Sequence, residues 1–180
     1  MKDRNRIKSA NVKMTKMKIS IDMQQRLRCP STKTKLKENG DYLESVIDST
    51  IRYPIIDGIP VLIDDKKSLF SIDDFIKNVN TTFDLKQNRI KKILKRIIPN
   101  ISANIKAKKN YKKICDILPS NSKILIIGGS IKGKGMDEIY SNKSFNIIGS
   151  DVSFGPYTTL ICDAHDIPYD DEVFDCVIIQ

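Results

Sequence analysis

A chain of 180 residues holds one ordinary domain or two small ones, and 40% hydrophobic with 29% charged residues fits a globular protein, not a disordered or fibrous one. The net charge of +9 is unevenly placed: residues 1–37 carry 12 Lys and Arg against 2 acids, so residues 38–180 sum to −1 and a broadly basic domain is excluded. No apolar run reaches membrane-spanning length and the charged N-terminus has no apolar signal segment, which argues against a membrane protein and for a cytoplasmic one.

Residues 1–26 read as a basic, flexible tail, for which contact with RNA is one use. Residues 27–66 read as a small β unit. Its Asn39-Gly40 and Asp57-Gly58 pairs supply the positive φ that tight hairpin turns need, and a short apolar strand follows at residues 61–63. Residues 67–103 read as a helical connection. There Ile90, Ile93, Leu94, Ile97 and Ile98 recur at helical spacing opposite a Lys/Arg face, and Pro99 ends the pattern.

Residues 104–180 read as α/β. A helix over residues 105–118 carries the stripe Ala107, Tyr111, Ile114, Cys115 and Leu118. Four short apolar runs follow at residues 124–127, 145–149, 158–162 and 174–179, with a short helix over residues 136–140 between the first two. Continuous apolar runs of this length suit strands covered on both faces, and their order predicts the start of a mostly parallel, doubly wound sheet. Cys29, Cys115, Cys162 and Cys176 form no close pair; Cys162 and Cys176 read as buried thiols.

The first of these runs ends in a glycine-rich turn, KILIIGGSIKGKG over residues 123–135. A dinucleotide fingerprint needs G-x-G-x-x-G, and Gly128, Gly129, Gly133 and Gly135 do not supply that spacing. A phosphate-cradling P-loop needs G-x-x-x-x-G-K-[ST]; Gly128, Gly133 and Lys134 match, but Gly135 stands where the hydroxyl that binds Mg²⁺ belongs. A site for S-adenosylmethionine needs close backbone approach after the first strand and an acid after the second for the ribose hydroxyls. It also needs a polar group after the third to read adenine. Asp151 and Asp163 stand at those two strand ends.

The segment DAHDIPYDDEVFDCVIIQ, residues 163–180, resembles the D-A-x-x-L-P-F-x-D-x-x-F-D-x-V segment of class I S-adenosylmethionine-dependent methyltransferases of the type 11 group. With KILIIGG and IIGSDVS the resemblance covers residues 123–180. It implies an α/β, partial Rossmann-like methyltransferase sheet, S-adenosylmethionine as cofactor, and methyl transfer to an acceptor that the sequence does not name. It implies cofactor contacts by Gly128, Gly129, Ser130, Asp151, Val152, Asp163, Ala164 and His165. The family's acid before the glycine turn is Ile126 here, and the second glycine of its turn is Ser130. His165 reads as a local hydrogen-bonding or exposed residue, and Asp170, Asp171 and Glu172 as a solvated loop and not a metal site.

LRCPST and YPIIDGIPVLI, in the β unit, resemble a small zinc-ribbon module found in the activator subunit of some tRNA methyltransferases and fused ahead of other methyltransferases. Cys29 matches one ligand position, whereas Thr32 and the region of Val46 and Ser49 hold no good zinc ligand, so no metal is expected. The family's sheet has seven strands and this chain supplies about four, so a truncated form, or a partner chain completing the sheet, is expected. A P-loop-like nucleotide-binding protein and a noncatalytic interaction protein are the alternatives.

Overall fold

The computed structural model describes residues 16–77 and 105–180; the apolar stripe expected at residues 90–98 lies outside them. A short helix, α1 (Ile21–Gln25), leads into an antiparallel meander of β1 (Leu36–Asn39), β2 (Tyr42–Ser45), β3 (Arg52–Ile56) and β4 (Ile59–Leu62). Both turns form, the first one residue later than expected: Asn39 ends β1 opposite Tyr42, so the loop is Gly40, at φ +62°, and Asp41, while Asp57 and Gly58, at +50° and +76°, form a two-residue turn that pairs Ile56 with Ile59. After α2 (Ile72–Lys77) and α3 (Ile105–Ile117) come β5 (Lys123–Ile127), α4 (Asp137–Ser141), β6 (Asn146–Asp151), β7 (Leu160–Cys162) and β8 (Cys176–Ile179).

All eight strands share one mixed sheet in the order β1-β2-β3-β4-β7-β6-β5-β8. From β4 to β8 every neighbouring pair is parallel. The sequence reading sets the β unit apart from the α/β unit. The structure joins them through β4 and β7, with Val61 opposite Ile161 and Leu62 opposite Cys162. Local sequence cannot announce such a pairing, because its two halves lie about a hundred residues apart.

The strands are apolar on both sides because both sides are covered. Ile124, Ile126 and Ile178 point to a face roofed by Met136, Ile139 and the α3 stripe of Tyr111, Ile114, Cys115 and Leu118. On that side of β4 and β7, Val61 and Ile161 pack with Phe75 of α2 and with Phe154. Leu125, Ile148, Leu160 and Cys162 point the other way, onto Met17, Ile19, Met23 and Leu27. Residues 16–26, expected within a flexible tail, are therefore part of the core: Met17 is 6%, Ile19 2% and Met23 0% exposed. The basic composition hid three apolar anchors spaced to meet the sheet. At the outer strand β8 this second face is bare, with Val177 and Ile179 exposed.

Where the resemblance places a zinc centre, hydroxyl groups meet. The Tyr53 hydroxyl lies 3.4 Å from Cys29 Sγ and 3.0 Å from Ser31 Oγ, and Thr32 Oγ1 lies 2.8 Å from Thr34 Oγ1 and 3.4 Å from Ser45 Oγ. Burial alone would push the Cys29 thiol up, but hydrogen bonds from Thr32, Tyr53 and the local backbone outweigh it and leave the thiol below its ordinary value. Among the described residues, no group of three or more His, Cys, Asp or Glu is arranged to hold a metal ion.

The packing of α1 gives a direct test. Met23→Ala removes a fully buried side chain and is expected to lower stability by about 3 kcal/mol in urea denaturation of the full chain. A flexible tail would leave the midpoint unchanged.

Candidate functional site

The parallel strands β7, β6, β5 and β8 end on one edge of the sheet, and the sequence-predicted residues lie along it. In chain order they are third, second, first and fourth, so the connections reverse direction between β5 and β8. Such a reversal opens a crevice beyond the strand ends, the usual place for a ligand in an open α/β sheet. A cavity of about 290 Å³ opens here, walled by Gly128, Ser150, Asp151, Val152, Ala164 and Gln180, among others.

Glycines shape the cavity in two ways. Gly128 has φ +76°, and a Cβ there would sit 3.1 Å from the Gln180 carbonyl oxygen, so only glycine keeps the wall open without strain. Gly129 serves packing instead. Its added Cβ would lie 2.8 Å from the Ile126 carbonyl oxygen and 3.1 Å from Gly149 Cα, and its N–H donates to the Ser150 carbonyl at 2.9 Å. Gly149 in turn lets the backbone at Tyr157 press onto β6. The turn is thus locked to β6 backbone against backbone.

Asp151 adds a side-chain lock. Its Oδ2 accepts the Ser130 N–H at 3.1 Å, and its Oδ1 accepts both the N–H and the hydroxyl of Ser153 at 3.0 Å. A carboxylate has about four acceptor sites, so these three bonds leave room for a ligand donor. Ser130 itself is 1% exposed and walls neither this cavity nor the next. Cys162 also lines the cavity. Burial pushes its thiol up to about 12, which keeps it neutral and apolar in character.

Asp163 lies elsewhere. It lines a second cavity of about 240 Å³ on the other side of the β7 end, together with Lys33, Leu62, Asp64, Ser68 and Asp166. Ser68 Oγ donates to its Oδ2 at 2.6 Å, while its Oδ1 accepts the His165 N–H and lies 2.9 Å from His165 Nδ1. The two aspartates expected to hold one adenosine moiety thus face different cavities, with Ala164 on the first and His165 on the second. The His165 side chain is 95% exposed and bonds locally, in keeping with its expected role.

Sequence reasoning missed the residues that grip the 163–170 loop from the β unit. Leu27 bridges Tyr169 in antiparallel fashion, and the Arg28 N–H donates to the Pro168 carbonyl at 2.9 Å. The Arg28 guanidinium pairs with Asp170, and the Lys33 ammonium with Asp166. Nothing near Arg28, Lys33 or Ser68 in the chain marks them, because the partner segment is brought in by the β4–β7 pairing.

No family model and no curated protein matches this chain.

Two consequences can be measured. Gly149→Ala would drive a Cβ into the Tyr157 carbonyl, and a loss of about 2 kcal/mol is expected in urea denaturation. Gly40→Ala meets open space and should cost about 1 kcal/mol through its positive φ alone. The second consequence concerns pH. The Ser68 hydroxyl, then the His165 backbone and ring, hold the Asp163 carboxyl below its usual range. A lowered carboxyl stabilises the fold above the unfolded carboxylate range and loses that contribution as pH falls through its folded value. The stability difference between wild type and Asp163→Asn should be full at pH 7, begin to narrow only below about pH 4 and close as pH falls through the lowered folded value; a difference that persists unchanged in stronger acid would contradict the hydrogen-bonded carboxylate.

Proposed function

We propose that the cleft at the β5–β6 end is an adenosyl-cofactor site and that the chain carries the cofactor-binding half of an S-adenosylmethionine-dependent methyltransferase. One observation carries the reading: the Asp151 carboxylate and the bare backbone of Gly128 wall the same cavity, at the strand-order reversal. The parallel order 3-2-1-4 supports a Rossmann-like half-sheet, and the resemblance of residues 123–180 supplies the choice of cofactor.

The residues present suit the group. Gly128 presents bare backbone to the cavity, Asp151 retains acceptor capacity for a ribose diol, and Val152 and Ala164 offer apolar surface to a base. S-adenosylmethionine supplies an electrophilic methyl on a sulfonium, and transfer needs alignment with an acceptor nucleophile more than it needs a base. The role of this chain is to bind and orient. Asp151 fixes the sugar end, and the locked glycine turn sets the depth of the crevice. The neutral Cys162 thiol adds no competing charge.

The P-loop alternative draws less support. A phosphate nest needs free backbone N–H groups, whereas those of Gly129 and Ser130 are committed to Ser150 and Asp151.

Isothermal titration of the full chain tests the reading. S-adenosylhomocysteine is expected to bind and Mg-ATP to bind far more weakly. Asp151→Asn should weaken S-adenosylhomocysteine roughly tenfold or more, since a hydrogen bond to a charged group contributes about 1.5–3 kcal/mol. Preference for Mg-ATP, or indifference to Asp151→Asn, would overturn it.

A further inference from the structure

The 163–170 loop links the β4 side of the sheet to the candidate cleft, and one contact there concerns Asp163, an expected ligand-binding residue, directly. The turn after β4 is rigid. The Asp64 carbonyl accepts the N–H groups of Lys67 and Ser68, both at 2.9 Å, and its 8%-exposed side chain accepts the Lys66 N–H at 3.1 Å. This turn presents the Ser68 hydroxyl with its direction already set. The oxygen accepts the Phe70 N–H at 3.2 Å, so its single proton is free to point at Asp163 Oδ2, 2.6 Å away. The pairing of Leu62 with Cys162 puts the two within reach. Asp163 therefore sits in the 240 Å³ cavity and not in the one that Asp151 lines.

We propose that Ser68 is a positioning residue that latches Asp163 away from the adenosyl cleft, so that ligand binding must exchange the Ser68 hydroxyl for a donor on the base. The proposal rests on the adenosyl reading of that cleft and adds its regulation. The turn after β4 sets cofactor affinity through a hydroxyl that touches no ligand. The latch costs binding free energy in proportion to the hydrogen bond given up, and its effect runs only through Asp163. The Lys33–Asp166 and Arg28–Asp170 pairs tie the rest of the loop to the N-terminal strands, and the His165 N–H on Asp163 Oδ1 is a second, local restraint that the Ser68 variants leave in place.

A double-mutant cycle on the full chain, read as S-adenosylhomocysteine and adenosine affinity by titration calorimetry, tests this. Ser68→Ala should bind roughly threefold to tenfold more tightly than wild type, the span expected for one net hydrogen bond. Ser68→Thr keeps the hydroxyl and should match wild type. Against an Asp163→Ala background, Ser68→Ala should change nothing. Thermal melts accompany each variant; if Ser68→Ala melts early, Ser68→Cys, which fills the same space with a weak donor, carries the same expectation. Equal or weaker binding by Ser68→Ala, or a gain that survives in the Asp163→Ala background, overturns the latch while leaving the cleft assignment standing. If neither wild type nor any variant binds either probe, the adenosyl reading itself falls and the latch with it.

Discussion

The pairing of β4 with β7 is the constraint on which the rest of the structure depends. It is short, since β7 has only three residues, yet each side solves a problem for the other. A four-stranded meander of some forty residues has a marginal core by itself. A parallel sheet that stopped at β7 would leave a strand edge open. Joined, they share an apolar layer in which Leu43 and Tyr53 belong to the same cluster as Leu125 and Leu160. The N-terminal unit is then a wall of the domain, and whatever the cleft does, it does with that wall in place.

The same arrangement pins Cys29 from two sides. Its N–H donates to the Thr34 carbonyl, the neighbouring Arg28 reaches Pro168 and Asp170, and Thr32, Thr34 and Ser45 bring their hydroxyls together. Hydroxyl contacts are individually weak, and here they lie on a sheet that continues from the N-terminal strands into the parallel ones.

What could be read from the chain alone follows from the range of the forces involved. The turns at Asn39-Gly40 and Asp57-Gly58, the α3 stripe and the four apolar runs of residues 124–179 depend on local periodicity and on backbone preferences, and all are found, the first turn one residue later. The Asp175 carboxylate accepts the Lys123 N–H at 2.7 Å and so sets the start of β5 against β8. Met17, Ile19 and Met23 were obscured because their neighbours are charged and their partners lie far along the chain. Asp163 shows the same limit at the site: its strand end was legible, but one of the two groups that hold its carboxylate, the Ser68 hydroxyl, lies 95 residues away.

The glycine turn shows how one motif can serve unlike chemistries, and which details separate them. Glycines after a strand permit close approach, but the approaching group need not be a ligand. At Gly129, Gly149 and Gly155 it is backbone: the turn, β6 and the segment at residues 153–158 are pressed together. At Gly128 a Cβ would also meet backbone, the Gln180 carbonyl oxygen at 3.1 Å, but this glycine lines the cleft as well. A triphosphate would need several adjacent N–H donors, and packing has consumed two of them. A sugar diol would need one well-held carboxylate, and the bonds that hold Asp151 to Ser130 and Ser153 fix its orientation without filling it. The same hydrogen bonds that argue against a phosphate cradle are thus compatible with the adenosyl site proposed above.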